Sequence, residues 1–256
     1  MKKNILSALF AGVAFAALCT ASPASAADIK NVVIVHGAFA DGSGWRHVSD
    51  ILSAKGFHVS IVQPPETSLA DDVAATNRVL ALQDGPTVLV GHSYGGMIIS
   101  DAGNAANVAS LVYIAAFAPE KGESLADLAN SKPVPDANPD AIKSTADGFL
   151  YLDPKIFPAA FAADLPPAEA DFMARSQVFT AKSAFSVKAG DPAWKHKPSW
   201  ALVATHDKSI NPDLEREMAK RAGSTVVEVA SSHAAYLAKP DEVAALIVDA
   251  SKGAPQ

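Results

Sequence analysis

Cysteine is almost absent from this chain: 256 residues contain one, Cys19. A single thiol closes no intrachain disulfide and builds no thiolate metal site. Long apolar runs are lacking too, since Ile5–Leu18 falls short of the ~20 residues that span a bilayer. Preceded by Met1-Lys2-Lys3-Asn4 and followed by Ala24-Ser25-Ala26, that run has the basic start, apolar centre and small-residue cleavage pattern of a secretory leader. Residues 1–26 are therefore expected to be a signal peptide that takes Cys19 with it. The mature chain then begins near Ala27, has no membrane anchor, and is periplasmic or secreted. In that oxidising compartment its fold rests on packing without disulfides. Positive charge is also scarce. Lys and Arg number 21 against 27 Asp and Glu, a net charge of −6, which becomes −8 when Lys2 and Lys3 leave with the leader. An acidic chain without a basic cluster excludes nucleic acid and anionic membrane surfaces as expected partners. No His and acidic residues have metal-ligand spacing, and no metal is expected.

Hydrophobic residues make up 49% of the chain, enough for one well-buried core, so residues 27–256 are expected to form a single domain. β-Branched apolar runs recur at Asn31–Val35, His58–Val62, Thr87–Val90, Val108–Ile114, Trp200–Ala204 and Thr225–Val229, each reading as a buried strand. Helical patterns lie between them, at about Trp45–Ala54, Ser68–Gln83, Gly95–Asn104, Pro212–Ala222 and Pro240–Lys252. Pro212 and Pro240 suit first-turn positions and Gly223 suits a helix stop. The alternation predicts an α/β fold with a mostly parallel six-stranded sheet flanked by helices. From about 119 to 197 the alternation fails. This Pro- and Ala-rich stretch carries Phe149, Tyr151, Phe157, Phe161, Phe172, Phe179 and Phe185, too many aromatics for a linker, and is expected to be a small helical cap inserted between two strands.

Two of the runs break at glycine. Gly91-His92-Ser93-Tyr94-Gly95 has the form G-x-S-x-G and sits between a strand pattern and a helix pattern. That context describes a sharp turn which presents the serine hydroxyl at the end of the strand. A serine needs a base to take its proton and an acid to orient the base, and the chain order for such a turn is serine, acid, histidine. Asp207 follows the fifth strand and His233 the sixth, both at C-terminal strand ends, where α/β sheets keep their sites. Asp213 and Glu120 are the competing acids. His36 and His92 lie inside the two glycine turns as braces, while His47, His58, His196 and His206 are read as structural. In the first turn, His36-Gly37-Ala38-Phe39, the amide of Ala38 is expected to join that of Tyr94 as an oxyanion hole. Gly42-Ser43-Gly44 is not a dinucleotide fingerprint, because position 47 is His.

With these residues in place, "VIVHGAFADGSGW", "GHSYGG", "THDKSINPDLEREM" and "SSHAAYLAKPDEVAALI" resemble the α/β-hydrolase superfamily over nearly all of the mature chain. They are most similar to the branch holding bacterial esterases, plant methyl-ester esterases and hydroxynitrile lyases. The resemblance implies the α/β-hydrolase fold with a small helical cap, no cofactor, and a triad of Ser93, Asp207 and His233. Dehalogenases and epoxide hydrolases of this fold carry an aspartate where this chain has Ser93. The lyases typically carry threonine and lysine where it has Gly37 and Ala234. The expected activity is hydrolysis of a small apolar or aromatic ester. Cofactor-free perhydrolysis and lactone opening are neighbouring chemistries, and a non-catalytic binding protein is the rival reading.

Overall fold

The central runs can be apolar throughout because both of their faces are covered. In the computed structural model, which describes residues 29–135 and 137–253, all six runs are strands of one sheet; the leader expected over 1–26 lies outside the described residues. Along the chain the elements are β1 (Asn31–Val35), α1 (Arg46–Ala54), β2 (His58–Val62), α2 (Leu69–Leu80), β3 (Thr87–Ser93), α3 (Gly95–Ala102) and β4 (Val108–Ala116). Next come α4 (Leu125–Ser131), β5 (Ile142–Ser144), β6 (Phe149–Leu152), α5 (Phe157–Phe161), α6 (Pro167–Ser176), β7 (Thr180–Ala181) and α7 (Lys182–Ser186). The chain then returns to the sheet with β8 (Ser199–Ala204), α8 (Pro212–Arg221), β9 (Thr225–Val229), α9 (Ala235–Ala238) and α10 (Pro240–Ala250).

The sheet order is β2-β1-β3-β4-β8-β9, and every pairing is parallel. The inner strands β1, β3 and β8 are buried at every position, while the edge strands β2 and β9 bury only their last residue. Helix α1 packs on α10 and α2 on α3. Helix starts follow their local chemistry: the Ser68 hydroxyl caps α2 at the Asp71 amide, and Asn211 caps α8 ahead of Pro212. Gly223, at φ +65°, ends α8.

Two central strands run further than their composition suggests. β3 continues through Gly91 and His92 to Ser93, and β4 continues to Ala116, because the two strands pair there across a bulge at which Ala115 has φ +43°. The segment between β4 and β8 contains the short helices expected of it and, in addition, a three-stranded antiparallel sheet in the order β5-β6-β7. Phe157 and Phe161 fill its interior, whereas Phe172 and Phe179 face outward. Among the described residues no helix is long and apolar enough to cross a membrane.

Candidate active site

Strand β3 delivers Ser93 to a turn in which its own backbone lies in the left-handed region, φ +53°. That conformation costs a non-glycine residue ~1–3 kcal/mol, and such outliers gather at functional sites. The turn closes only because its neighbours lack side chains. A Cβ on Gly37 would stand 2.6 Å from Ser93 Cβ, and one on Gly95 would stand 2.6 Å from the Val35 carbonyl oxygen. Helix α3 starts at Gly95, so its N-terminal end with its positive potential points at the serine. Ser93 opens into a cleft of about 550 Å³ that is also lined by Ala38, Tyr94 and His233. Among the described residues the backbone N–H groups of Ala38 and Tyr94 meet no protein acceptor.

His233 follows β9, and Asp207 sits in the loop from β8 into α8. The two side chains are buried against each other, with His233 Nδ1–H donating to Asp207 Oδ2 at 2.5 Å. The other carboxylate oxygen of Asp207 accepts from the backbone N–H groups of Ser209 (2.6 Å) and Ile210 (2.9 Å). Four interactions then fix the His233 turn. His92 Nε2–H donates to the His233 carbonyl at 3.0 Å, the Phe161 ring stands edge-on 4.6 Å from the imidazole, the Ala234 amide donates to the Phe161 carbonyl at 3.0 Å, and Asp164 accepts from the Ser232 backbone N–H at 2.8 Å. Burial drives the His92 pKa well below the ordinary imidazole range, with the neighbouring His233 adding to the effect, so His92 serves as a neutral donor.

Of the competing acids, Asp213 is exposed and paired with Arg216, and Glu120 is paired with Lys195; neither has His233 as a partner. His36 and His92 are both buried in the glycine turns, His36 donating to the Gly37 carbonyl at 3.0 Å, while His47, His58, His196 and His206 are exposed. Among the described residues no three His, Cys, Asp or Glu side chains cluster as metal ligands. Sequence reasoning missed the bond that the exposed Asp164 makes to the Ser232 amide, and it missed three buried polar groups near the site: Glu66, Asp72 and Glu215. Each lies in a polar, helix-start or loop stretch that reads as surface, and only long-range packing buries it. Glu215 lies behind Asp207, its pKa pushed well above the ordinary carboxylate range by burial and by the Asp207 charge.

A serine raised on a strained strand-to-helix turn over a parallel sheet, with a histidine–carboxylate pair at the neighbouring strand ends, defines the nucleophile-elbow class of α/β proteins. The sequence model of the alpha/beta hydrolase family matches residues 32–246, and the chain belongs to that family. A carbendazim hydrolyzing esterase from Nocardioides sp. (strain SG-4G) is 34% identical over an alignment of 115 residues that covers 38% of this chain and 46% of that enzyme. Among solved structures, a pyrethroid hydrolase from Sphingobium faniae JZ-2 has a TM-score of 0.73 at 21% identity, covering 87% of this chain and 97% of its own. A methylesterase from Arabidopsis has a TM-score of 0.73 at 17% identity, covering 87% and 98%.

Proposed function

We propose that the protein is a serine carboxylesterase that cleaves apolar or aromatic esters outside the cytoplasm, where its leader would direct it. The observation that carries this reading is the 2.5 Å bond between His233 and Asp207 at a cleft shared by His233, Ser93 and two unpaired amides. In this reading His233 Nε2 takes the Ser93 proton as Oγ attacks the ester carbonyl. The Ala38 and Tyr94 amides hold the resulting oxyanion, and His233 returns the proton to the leaving alcohol, which departs from an acyl-serine. Water, deprotonated by the same imidazole, then hydrolyses that acyl-serine and restores Ser93. Asp207 keeps the Nδ1–H tautomer in place throughout.

The cleft volume lies within the range of small-molecule sites. Its walls include Leu125, Val134, Leu152, Ile156, Phe161 and Phe185, which favour apolar groups on at least one side of the ester. Relatives named for hydrolysing carbendazim and pyrethroids, and a plant methylesterase, support the same choice. The test is hydrolysis of p-nitrophenyl esters from acetate to laurate beside aryl methyl esters. Wild type is expected to turn over the preferred ester, and Ser93→Ala, which removes one oxygen, to lose ~10⁶-fold in kcat while staying folded. A folded Ser93→Ala enzyme with near wild-type rates would falsify the assignment.

A further inference from the structure

Glu66 lies in the loop between β2 and α2, with φ +56° and a side chain fully shielded from solvent. A buried carboxyl in a strained backbone is costly on both counts, so what it holds together is informative. Its carboxyl accepts from the Thr180 hydroxyl on β7, and its other oxygen stands 3.4 Å from His36 Nδ1, at the turn that carries Ala38. Its backbone N–H donates to Asp72 Oδ1 at 2.7 Å, and Asp72 Oδ2 accepts from the Tyr94 hydroxyl at 2.7 Å. Its carbonyl accepts from the Ala181 amide at 2.8 Å. Burial pushes the Glu66 pKa up to about 7. Burial also opposes a charged His36, yet the carboxyl beside it outweighs that penalty and lifts the imidazole pKa. Neither Glu66 nor Thr180 lines the cleft.

We propose that Glu66 is a positioning residue for the oxyanion hole, its buried carboxyl tying the Ala38 turn, through His36, to the inserted segment, through Thr180, while its backbone N–H holds the Tyr94 side through Asp72. This inference rests on the esterase reading for its catalytic consequence, but the coupling between Thr180 and the Ala38 turn is a structural claim that stands separately. Seating of β7 and placement of the two amide donors become one event. Releasing either end of the bridge should then loosen the first turn, although Thr180 is remote from it in sequence.

The experiment compares wild type with Glu66→Gln, Thr180→Val, their double variant and Thr180→Ser. Gln preserves size and an acceptor for Thr180 but removes the carboxylate facing His36, while Val preserves shape and removes the hydroxyl. Amide hydrogen exchange over residues 37–40 should accelerate at least tenfold in Glu66→Gln and in Thr180→Val, with no further gain in the double variant. On the preferred p-nitrophenyl ester, kcat should fall about tenfold in each with KM within twofold, less than the ~10²–10³ lost with an oxyanion donor itself. Thr180→Ser, which keeps the hydroxyl, should match wild type in both. Unchanged exchange in Thr180→Val, effects that multiply in the double variant, or faster exchange with unaltered kcat would each overturn the proposal. If wild type shows no Ser93-dependent hydrolysis, the esterase reading falls and the catalytic role falls with it, while the exchange arm still decides whether Glu66 couples β7 to the turn.

Discussion

Asp207 uses both carboxylate oxygens, one for the His233 imidazole and one for two backbone amides of its own loop. Changing it to Asn keeps the size and reverses the hydrogen-bonding sense on one side, so the imidazole is held in the wrong tautomer. Asp207→Asn is expected to lose ~10⁴-fold in kcat on the preferred ester. Glu120→Gln and Asp213→Asn, whose side chains pair with surface cations and not with His233, should stay within a few-fold of wild type. Glu215 makes a second prediction from the same neighbourhood. The native state keeps its proton at pH values where the unfolded chain has released it. Wild type therefore loses stability relative to Glu215→Gln as pH rises above the ordinary glutamate range, by up to about 1.4 kcal/mol per unit. Thermal unfolding of both proteins at pH 5 and pH 9 should show a stability difference that moves in favour of the variant at the higher pH. Ser93, Asp207 and His233 were legible because each follows an apolar run at a strand end. Glu66 and Glu215 were not, since a Glu in "QPPETS" or "DLEREM" has the local signature of a solvated residue.

At the scale of elements, the strands of the main sheet could be read because a parallel sheet covered on both faces demands unbroken apolar, β-branched sequence. The last turns of β3 and β4 could not. Gly91, His92 and Ser93 are poor strand formers, and they are strand only because Tyr113, Ile114 and Ala116 offer them partners. The antiparallel strands β5, β6 and β7 were invisible for a related reason, being two to four residues long and defined by pairing rather than by period. The junction of β3 with α3 is also where the fold tolerates least. A methyl group on Gly95 would meet two backbone carbonyl oxygens, those of Val35 at 2.6 Å and His36 at 2.9 Å, and neither can move without shifting β1. Gly95→Ala is expected to destabilise the protein by ~1–3 kcal/mol, read as a lower urea midpoint, although Ala is the better helix former.

At the scale of the whole molecule, none of the described residues is cysteine, and stability comes from one continuous core that includes Trp45, Trp200, Tyr94 and Tyr236. A protein of residues 27–256, which contain no cysteine, should therefore have the same melting temperature with and without dithiothreitol.

The segment between β4 and β8 has a duty unconnected with any ester. These strands are parallel neighbours, so the chain leaving the carboxyl end of one must travel back to the amino end of the other. A crossover of about a dozen residues is enough for that, and the stretch from Ala116 to Ser199 is several times longer. Most of it is surplus to connectivity. It can be trimmed, extended or exchanged without touching a ladder bond of the main sheet, provided that Thr180 still reaches Glu66, Asp164 still reaches the Ser232 amide, and Phe161 still packs on His233 and accepts from the Ala234 amide. Substrate preference can thus drift over evolutionary time, or be swapped by grafting, while the chemistry beneath it stays as it is.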